Sequence, residues 1–232
     1  MRLFLDFDGT LVPLRARPDD VKLSAGTRRA LKGLVRHQRV NAVIVSGRRR
    51  GDLIRYVRLP RMQYWGLYGW ERRNGCSLPR GAREMLERAR GRLTSILHDL
   101  PGVRIEDKGL GFSVHVRGAT RNAERQALNL LRDVLARYGP ALHVMPGKKV
   151  WNVVPHQVPG KGPAVRDAVK GIRSPYLPIF VGDDLTDEPA FAALTRGITV
   201  RVGVARHTKA RYRLLDPEEV RRFIERLDGE LS

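Results

Sequence analysis

Apolar positions along the chain alternate between two patterns, short continuous runs and the three-to-four-residue recurrence of amphipathic helices. Leu3-Phe4-Leu5 is apolar at every position, as in a strand covered on both faces of a parallel sheet. Leu23 to His37 then has helical spacing with Ser24 as a candidate cap, and Val40 to Val45 is a second β-branched run stopping at Ser46-Gly47-Arg48. These segments predict a strand–helix–strand unit. A short strand near Tyr64 to Leu67 leads through Tyr68-Gly69-Trp70-Glu71-Arg72 into a turn-rich stretch, Asn74-Gly75 to Pro79-Arg80-Gly81.

Between Gly81 and about His156 the pattern changes. Arg83 to Leu100 reads as a helix, followed by strands at Val103 to Asp107 and Phe112 to Val116, with Lys108-Gly109-Leu110-Gly111 as their hairpin connection. Thr120 to Tyr138 is again helical, with Ala127, Leu128, Leu131, Val134 and Leu135 on one face. Strands at Leu142 to Met145 and Val150 to Val154 flank the turn Pro146-Gly147-Lys148-Lys149. This α-β-β-α-β-β block predicts an inserted α+β module over residues 81–156, with two linkers that suggest a hinge. Beyond it the α/β alternation resumes, with a helix at Lys161 to Ile172, a strand at Pro178 to Val181 and a helix at Glu188 to Leu194. A strand at Ile198 to Val202, an extended stretch at Arg213 to Leu215 and a helix at Pro217 to Leu227 close the pattern.

Composition changes this picture little. The apolar share of 42% and the charged share of 29% are ordinary for a globular α/β protein. The 44 Lys+Arg against 24 Asp+Glu give a net charge of +20, which raises affinity for phosphates and nucleic acid. The arginines are spread along the whole length, however, and favour a solvated surface over a dedicated nucleic-acid face. The single cysteine, Cys76, the lack of a signal-like start and the absence of a membrane-length apolar run predict a cytoplasmic protein with no membrane partner.

Candidate chemistry sits where strands end. Asp6 and Asp8 follow the first strand, Ser46-Gly47 the second, Lys161 opens a helix, and Asp183, Asp184 and Asp187 follow a later strand. In a shared parallel sheet these features converge at the carboxyl edge, the usual place for a ligand. Together they specify phosphoryl transfer. Asp6 and Asp183 suit a hard divalent cation such as Mg²⁺, Asp6 at the strand tip is the candidate nucleophile, and Asp8 is the general acid and base. Lys161, the Ser46 hydroxyl and backbone N–H groups around Gly9 would neutralise the transferring group. Each part also has a structural reading. Asp6 and Asp8 can form turns, Ser46 can cap a helix, Lys161 can be solvated, and Asp187 before Glu188 fits a helix cap.

The motifs D-x-D-G-T-L at Asp6 to Leu11, V-S-G-R at Val45 to Arg48, Lys161, and G-D-D-x-T-D-E at Gly182 to Glu188 resemble the haloacid dehalogenase superfamily of phosphatases. Within it the inserted module, the stretch Thr208-Lys209-Ala210-Arg211-Tyr212-Arg213-Leu214, and Glu106-Asp107-Lys108 with His115-Val116-Arg117 are similar to trehalose-6-phosphate phosphatases. The resemblance implies a Rossmann-like core of residues 1–80 and 157–232 with a cap of residues 81–156 inserted between the second and third motifs. It implies a phosphoric monoester hydrolase with Asp6 as nucleophile, Asp8 as acid and base, and Mg²⁺ held by Asp6, the Asp8 main-chain carbonyl and Asp183. Ser46, Gly47 and Lys161 would hold phosphate, Asp184 and Asp187 would support the site, and the cap would close to exclude water.

Two departures fall where specificity is set. Tyr68 stands where the family pattern G-x-H-G-x-E has histidine, and Asn152 stands where the last cap strand usually has glutamate. Glu106, Lys108, Arg117 and Asn152 are the candidate sugar contacts of the cap, with ordinary cross-strand pairing as the alternative for Glu106 and Lys108. The expected partner is a phosphorylated sugar, trehalose 6-phosphate first. Another sugar phosphate or a glycosyl-phosphoglycerate is the second enzyme reading, and a basic nucleic-acid-binding protein on this fold is the third.

Overall fold

Continuous apolar strands need cover on both faces, and the computed structural model provides it with layers of helices around a parallel sheet. The structure describes residues 1–15, 20–170 and 176–232. In chain order it begins with β1 (Arg2–Leu5), α1 (Ala25–Leu34), β2 (Asn41–Val45), α2 (Arg50–Val57) and β3 (Gln63–Trp65). The insertion holds α3 (Arg80–Leu97), β4 (Arg104–Asp107), β5 (Phe112–His115), α4 (Arg121–Ala136), β6 (Leu142–Gly147) and β7 (Val150–Pro155). The return comprises α5 (Lys161–Lys170), β8 (Pro178–Gly182), α6 (Glu188–Ala193), β9 (Ile198–Val202), β10 (Tyr212–Leu214) and α7 (Pro217–Leu231). These elements form two units, Met1–Gly75 with Pro159–Ser232, and Cys76–Val158.

The first unit is a six-stranded sheet in the order β10-β9-β8-β1-β2-β3, with every pairing parallel. Successive side chains of each strand point to opposite faces, so the apolar runs divide. Leu3, Leu5, Ala42, Ile44, Ile179 and Val181 face a core completed by helices α1, α2 and α7. Phe4, Val43, Val45 and Phe180 face the other core, closed by Val165 of α5 and Phe191 of α6. Phe180 anchors that second core. Its ring lies 5.5 Å from Phe191 edge-on and 6.4 Å from Phe4 in a stacked pair.

The second unit is an antiparallel sheet in the order β4-β5-β7-β6, with α3 packed against α4, β4 and β7. The α3 residues Leu86, Ala89, Leu93 and Leu97 are buried, as are Ala127, Leu131 and Val134 of α4 and Phe112, Val114 and Val153 of the sheet. The opposite strand face is mixed, with polar and apolar side chains together. Pairing of Glu106 with Ser113, Ser113 with Asn152, and Asn152 with Met145 puts these four side chains in one row across it.

Part of the positive charge works inside the fold. Arg28 donates to the Tyr56 and Val57 carbonyls at the end of α2, and Arg2 donates to Ala168 O in the last turns of α5 (2.7 Å). Arg211 does the same to Leu194 O (2.7 Å) and Thr195 O (3.0 Å) beyond α6. Helix carboxyl ends carry unsatisfied carbonyls and partial negative charge, which guanidinium groups satisfy.

Several elements differ from their sequence expectations. Helix α2 was not anticipated, because its sequence RGDLIRYV buries only Leu53 and Val57 and places Gly51 in the first turn. The β6–β7 turn is tighter than Pro146 to Lys149: β6 continues through Pro146 and Gly147, paired with Trp151 and Val150. Proline is tolerated there because β6 is an edge strand. Helix α3 starts and ends three residues early, and α7 runs on to Leu231. The expected helix at Lys161 to Ile172 is helical to Lys170, and its last two positions lie outside the described residues. Among the described residues, no helix is long and apolar enough to cross a membrane.

Replacing Phe180 by alanine removes both ring contacts from a fully buried position. We expect Phe180→Ala to lower unfolding free energy by about 3–5 kcal/mol, measured from the denaturant midpoint of the unfolding transition.

Candidate active site

Strand β1 lies between β8 and β2, and the chain departs from it toward β2 and β3 on one side and toward β8, β9 and β10 on the other. Parallel α/β sheets bind ligands outside the carboxyl ends of strands at such a reversal. The residues just past the three adjacent strand ends are Asp6, Ser46 and Asp183, and all three are buried. Asp6 N donates to Val181 O (2.9 Å), which fixes the β1 exit beside β8. Gly9 makes the next turn with φ +79°, and a Cβ there would run into the Asp183 carboxylate. Only glycine combines that backbone angle with so close an approach.

Lys161, the first residue of α5, lies between two carboxylates. Its Nζ is 2.7 Å from Asp6 Oδ1 and 2.7 Å from Asp187 Oδ1, with all three side chains no more than 6% exposed. A cation at a helix amino end opposes the helix dipole, so these two partners must offset that cost as well as desolvation. Burial by itself would lower the Lys161 pKa, but the Asp187 and Asp6 carboxylates more than reverse this and hold it above its ordinary value. Burial raises the Asp6 carboxyl well above the usual carboxylate range, Lys161 opposes it, and Asp187 and Asp183 reinforce it.

Asp6, Asp183 and Asp187 can bring one carboxylate oxygen each to within 4.8 Å of one another. If all three carboxylates were ionised, one ammonium would leave an excess of two negative charges in a buried place, and the raised Asp6 carboxyl reflects that crowding. A divalent cation would cancel that excess, and an all-oxygen donor set suits a hard one. The residues therefore fit a metal. Asp187 is engaged through both oxygens, with Oδ1 accepting from Lys161 (2.7 Å) and Oδ2 from Asp184 N (2.9 Å). Asp184 answers in a reciprocal capping box that shapes the turn Leu185–Asp187.

The Ser46 loop is laced to the loop after β3. Ser46 N donates to Trp65 O (3.0 Å), Tyr68 N to Ser46 O (2.8 Å) and Leu67 N to Arg48 O (2.9 Å). Glu71 accepts from Arg50 N at the start of α2 (2.7 Å). These bonds hold Leu67 (φ 47°) and Tyr68 (φ 61°) in the left-handed region, which costs non-glycine residues about 1–3 kcal/mol each. A Cβ at Gly47 would lie 2.7 Å from the Tyr68 hydroxyl, so the Tyr68 ring covers Gly47 closely.

Asp8 pairs with Arg48. Arg48 Nε reaches Asp8 Oδ2 at 2.7 Å and Nη2 reaches Oδ1 at 2.7 Å. In the inserted unit, Glu106 Oε2 accepts from His115 Nε2 (2.7 Å). Lys108 Nζ lies 3.9 Å from Glu106. Asn152 is buried, its Oδ1 accepting from Ser113 Oγ (2.7 Å) and its Nδ2 donating to Met145 O (3.1 Å). Arg117 is exposed.

Two residues at the core site carry more than their motifs suggested. Arg48 was visible only as the last letter of V-S-G-R. Glu188 accepts from Arg201 Nη1 (3.0 Å), Thr208 Oγ1 (2.8 Å) and Lys209 N (2.7 Å), while Arg201 also donates to Asp184 O (3.0 Å). This ties the Thr208 stretch to the Asp183 loop. The available signal was Arg201 itself, a charged residue inside the apolar strand Ile198 to Val202.

A model of the family described as trehalose-phosphatase matches residues 4–218. A trehalose 6-phosphate phosphatase of Zea mays is 32% identical over 252 residues, covering 97% of this chain and 69% of that protein. A trehalose-phosphate phosphatase of Mycobacterium ulcerans (strain Agy99) is 33% identical over 249 residues, covering 99% and 62%. The chain thus spans about two thirds of the length of these relatives. The C-terminal domain of C. albicans trehalose-6-phosphate phosphatase superimposes with a TM-score of 0.83 at 23% identity, covering 100% of this chain and 93% of that one.

Removing the ammonium from this cluster leaves buried carboxylates facing one another. Lys161→Met is expected to cost about 3–5 kcal/mol of stability, as for breaking a buried ion pair from one side, measured by urea unfolding in metal-free buffer. An unchanged midpoint would contradict the role assigned to Lys161.

Proposed function

The chain belongs to the trehalose-phosphatase family of phosphoric monoester hydrolases, and from that premise we propose that it hydrolyses trehalose 6-phosphate to trehalose and phosphate. The observation that carries this reading is the buried convergence of Asp6, Lys161 and Asp183 beside the Ser46 loop. In the proposed reaction an Asp6 carboxylate oxygen attacks phosphorus, the bond from phosphorus to the sugar oxygen breaks, and Asp8 delivers a proton to that oxygen. Water then attacks the phosphorus of the aspartyl-phosphate, Asp8 takes its proton, and phosphate leaves with Asp6 restored. The Ser46 hydroxyl, the Gly47 N–H and Lys161 bind and orient the phosphate.

Mg²⁺ is the cation we assign to the acidic cluster, with Asp6, Asp183 and the Asp8 main-chain carbonyl as its protein ligands and with charge neutralisation at the phosphoryl group as its contribution. Asp184 and Asp187 support these ligands and Lys161. We propose residues 81–156 as the cap, with Glu106, Lys108, Arg117 and Asn152 reading the sugar. Their support is the row across the inserted sheet, where Glu106 and Asn152 share a face.

A second reading, another sugar phosphate or a glycosyl-phosphoglycerate, is favoured by two observations. Asn152 stands where an acidic acceptor is usual in the family and already engages Ser113 and Met145. Tyr68 covers Gly47 at the phosphate loop. Sites built on paired hydrogen bonds discriminate strongly against a mismatched hydroxyl pattern.

Phosphate release from a panel of sugar phosphates tests both readings. Trehalose 6-phosphate is expected to give the highest kcat/KM, and Asp6→Asn is expected to lower kcat by about a thousandfold or more, as loss of a nucleophile does. Activity that survives Asp6→Asn would sink the mechanism, and preference for another ester would move the substrate. Independently of turnover, Mg²⁺ at about one hundred times its Kd should stabilise the fold by about 2.7 kcal/mol, seen as a rise in melting temperature. Asp183→Asn should remove most of that rise.

A further inference from the structure

Asp8 is assigned a proton-transfer role, yet its carboxylate touches no member of the Lys161 cluster among the contacts described above. Both of its oxygens are taken by Arg48, through Nε to Oδ2 and Nη2 to Oδ1, each at 2.7 Å. A two-point contact between planar groups fixes a carboxylate in position and in plane, which a single bond or a point charge does not. The guanidinium is itself held. Its carbon lies 5.6 Å from the Phe7 ring centre and 5.3 Å from that of Tyr56, and those rings stack with centroids 6.0 Å apart. The Arg48 side chain is 11% exposed, against 31% for Asp8.

The backbone of Arg48 is fixed by the phosphate loop. Arg48 N donates to Ser46 Oγ (3.2 Å), and Arg48 O accepts from Leu67 N (2.9 Å). One residue therefore spans the serine assigned to phosphate and the aspartate assigned to the leaving oxygen. Each Asp8 oxygen has two lone-pair directions, so engagement by Arg48 leaves a second direction on each, one to carry the proton that passes to the leaving oxygen and later to receive the proton of the attacking water, on a carboxyl that stays partly open to solvent.

We propose that Arg48 is a positioning residue for proton transfer, aiming the Asp8 carboxylate at the leaving-group oxygen from a guanidinium held against the stacked rings of Phe7 and Tyr56. The inference rests on the acid–base role of Asp8. It assigns to Arg48 no direct contact with substrate.

Leaving-group dependence separates this role from a structural one. A phosphate ester of a sugar hydroxyl needs a proton delivered to its departing oxygen, whereas p-nitrophenyl phosphate releases a stable phenolate and needs little help. The quantity to compare is kcat/KM, which covers steps up to departure of the alcohol and excludes the later water attack. Arg48→Lys and Arg48→Met, each checked for an unchanged circular dichroism spectrum, are measured with trehalose 6-phosphate and with p-nitrophenyl phosphate. We expect Arg48→Met to lower kcat/KM for the sugar ester by about tenfold to a hundredfold, within the range of general acid catalysis, and for the aryl ester by less than about threefold. Arg48→Lys should recover part of the loss. Asp8→Asn should show the same split, larger, and the Asp8→Asn/Arg48→Met double variant should be no worse than Asp8→Asn alone, since Arg48 acts through Asp8.

Inhibition by inorganic phosphate supplies the control, with a Ki expected within about twofold of wild type. A Ki that rises in step with the loss of kcat/KM would make Arg48 a prop for the phosphate loop and overturn the proposal. If Asp8→Asn separates the two esters and the Arg48 variants do not, the acid–base reading stands and the proposal alone falls. If Asp8→Asn lowers both esters alike, the acid–base reading fails and takes the proposal with it.

Discussion

Lys161 joins three parts of the chain that are far apart in sequence. Its ammonium bridges Asp6 at the end of β1 and Asp187 in the turn after β8, with almost no solvent exposure. The chain rejoins the parallel-sheet unit at Pro159 after the insertion, so this ion pair secures the return point within two residues. Such burial is costly for each charge alone, and the cluster persists because every member answers another. Asp187 completes the arrangement by bonding both Lys161 and the Asp184 amide. The three acidic side chains gathered there could also hold a cation.

The sheet explains why these residues meet. Six parallel strands put their carboxyl ends along one edge, and β1 between β8 and β2 brings Asp6, Asp183 and Ser46 to neighbouring positions. The loops then specialise. The β1 loop uses Gly9 to let Asp183 approach, the β2 loop is held by left-handed Leu67 and Tyr68, and the β8 loop is tied through Glu188 to Arg201 and Thr208. Left-handed Leu67 and Tyr68 and the buried Asp6, Lys161 and Asp183 lie at this edge, while the central strands are mainly apolar packing. Such a division puts the candidate functional groups on a rigid support.

Much of the fold was legible because hydrophobic periodicity is local. Leu3-Phe4-Leu5, Val40 to Val45 and Ile198 to Val202 read as buried strands, and the α-β-β-α-β-β order of the insertion followed from the same patterns. The site was legible where chemistry-bearing residues sit at strand ends. Helix α2 was not, because two buried positions in eight residues give no clear stripe, and neither was the true length of β6, where a proline and glycine imitate a turn. The surplus of arginine looked like surface charge, yet Arg2, Arg28 and Arg211 close helix carboxyl ends. Composition counts charges and says nothing of which carbonyl each one meets.

By itself the sequence determined the type of chemistry, since residue identity and spacing within a loop fix which donors, acceptors and turns a strand end can present. Asp6, Asp8, Ser46, Lys161 and Asp183 were candidates on that ground. Only the tertiary structure decided their partners. Asp8 pairs with Arg48 across forty residues, Lys161 divides itself between Asp6 and Asp187, and Asn152 turns to Ser113 and Met145. Those pairings follow strand order, register and burial, which are set when distant segments compete for the same low-dielectric space, and no local pattern of residues encodes the outcome of that competition.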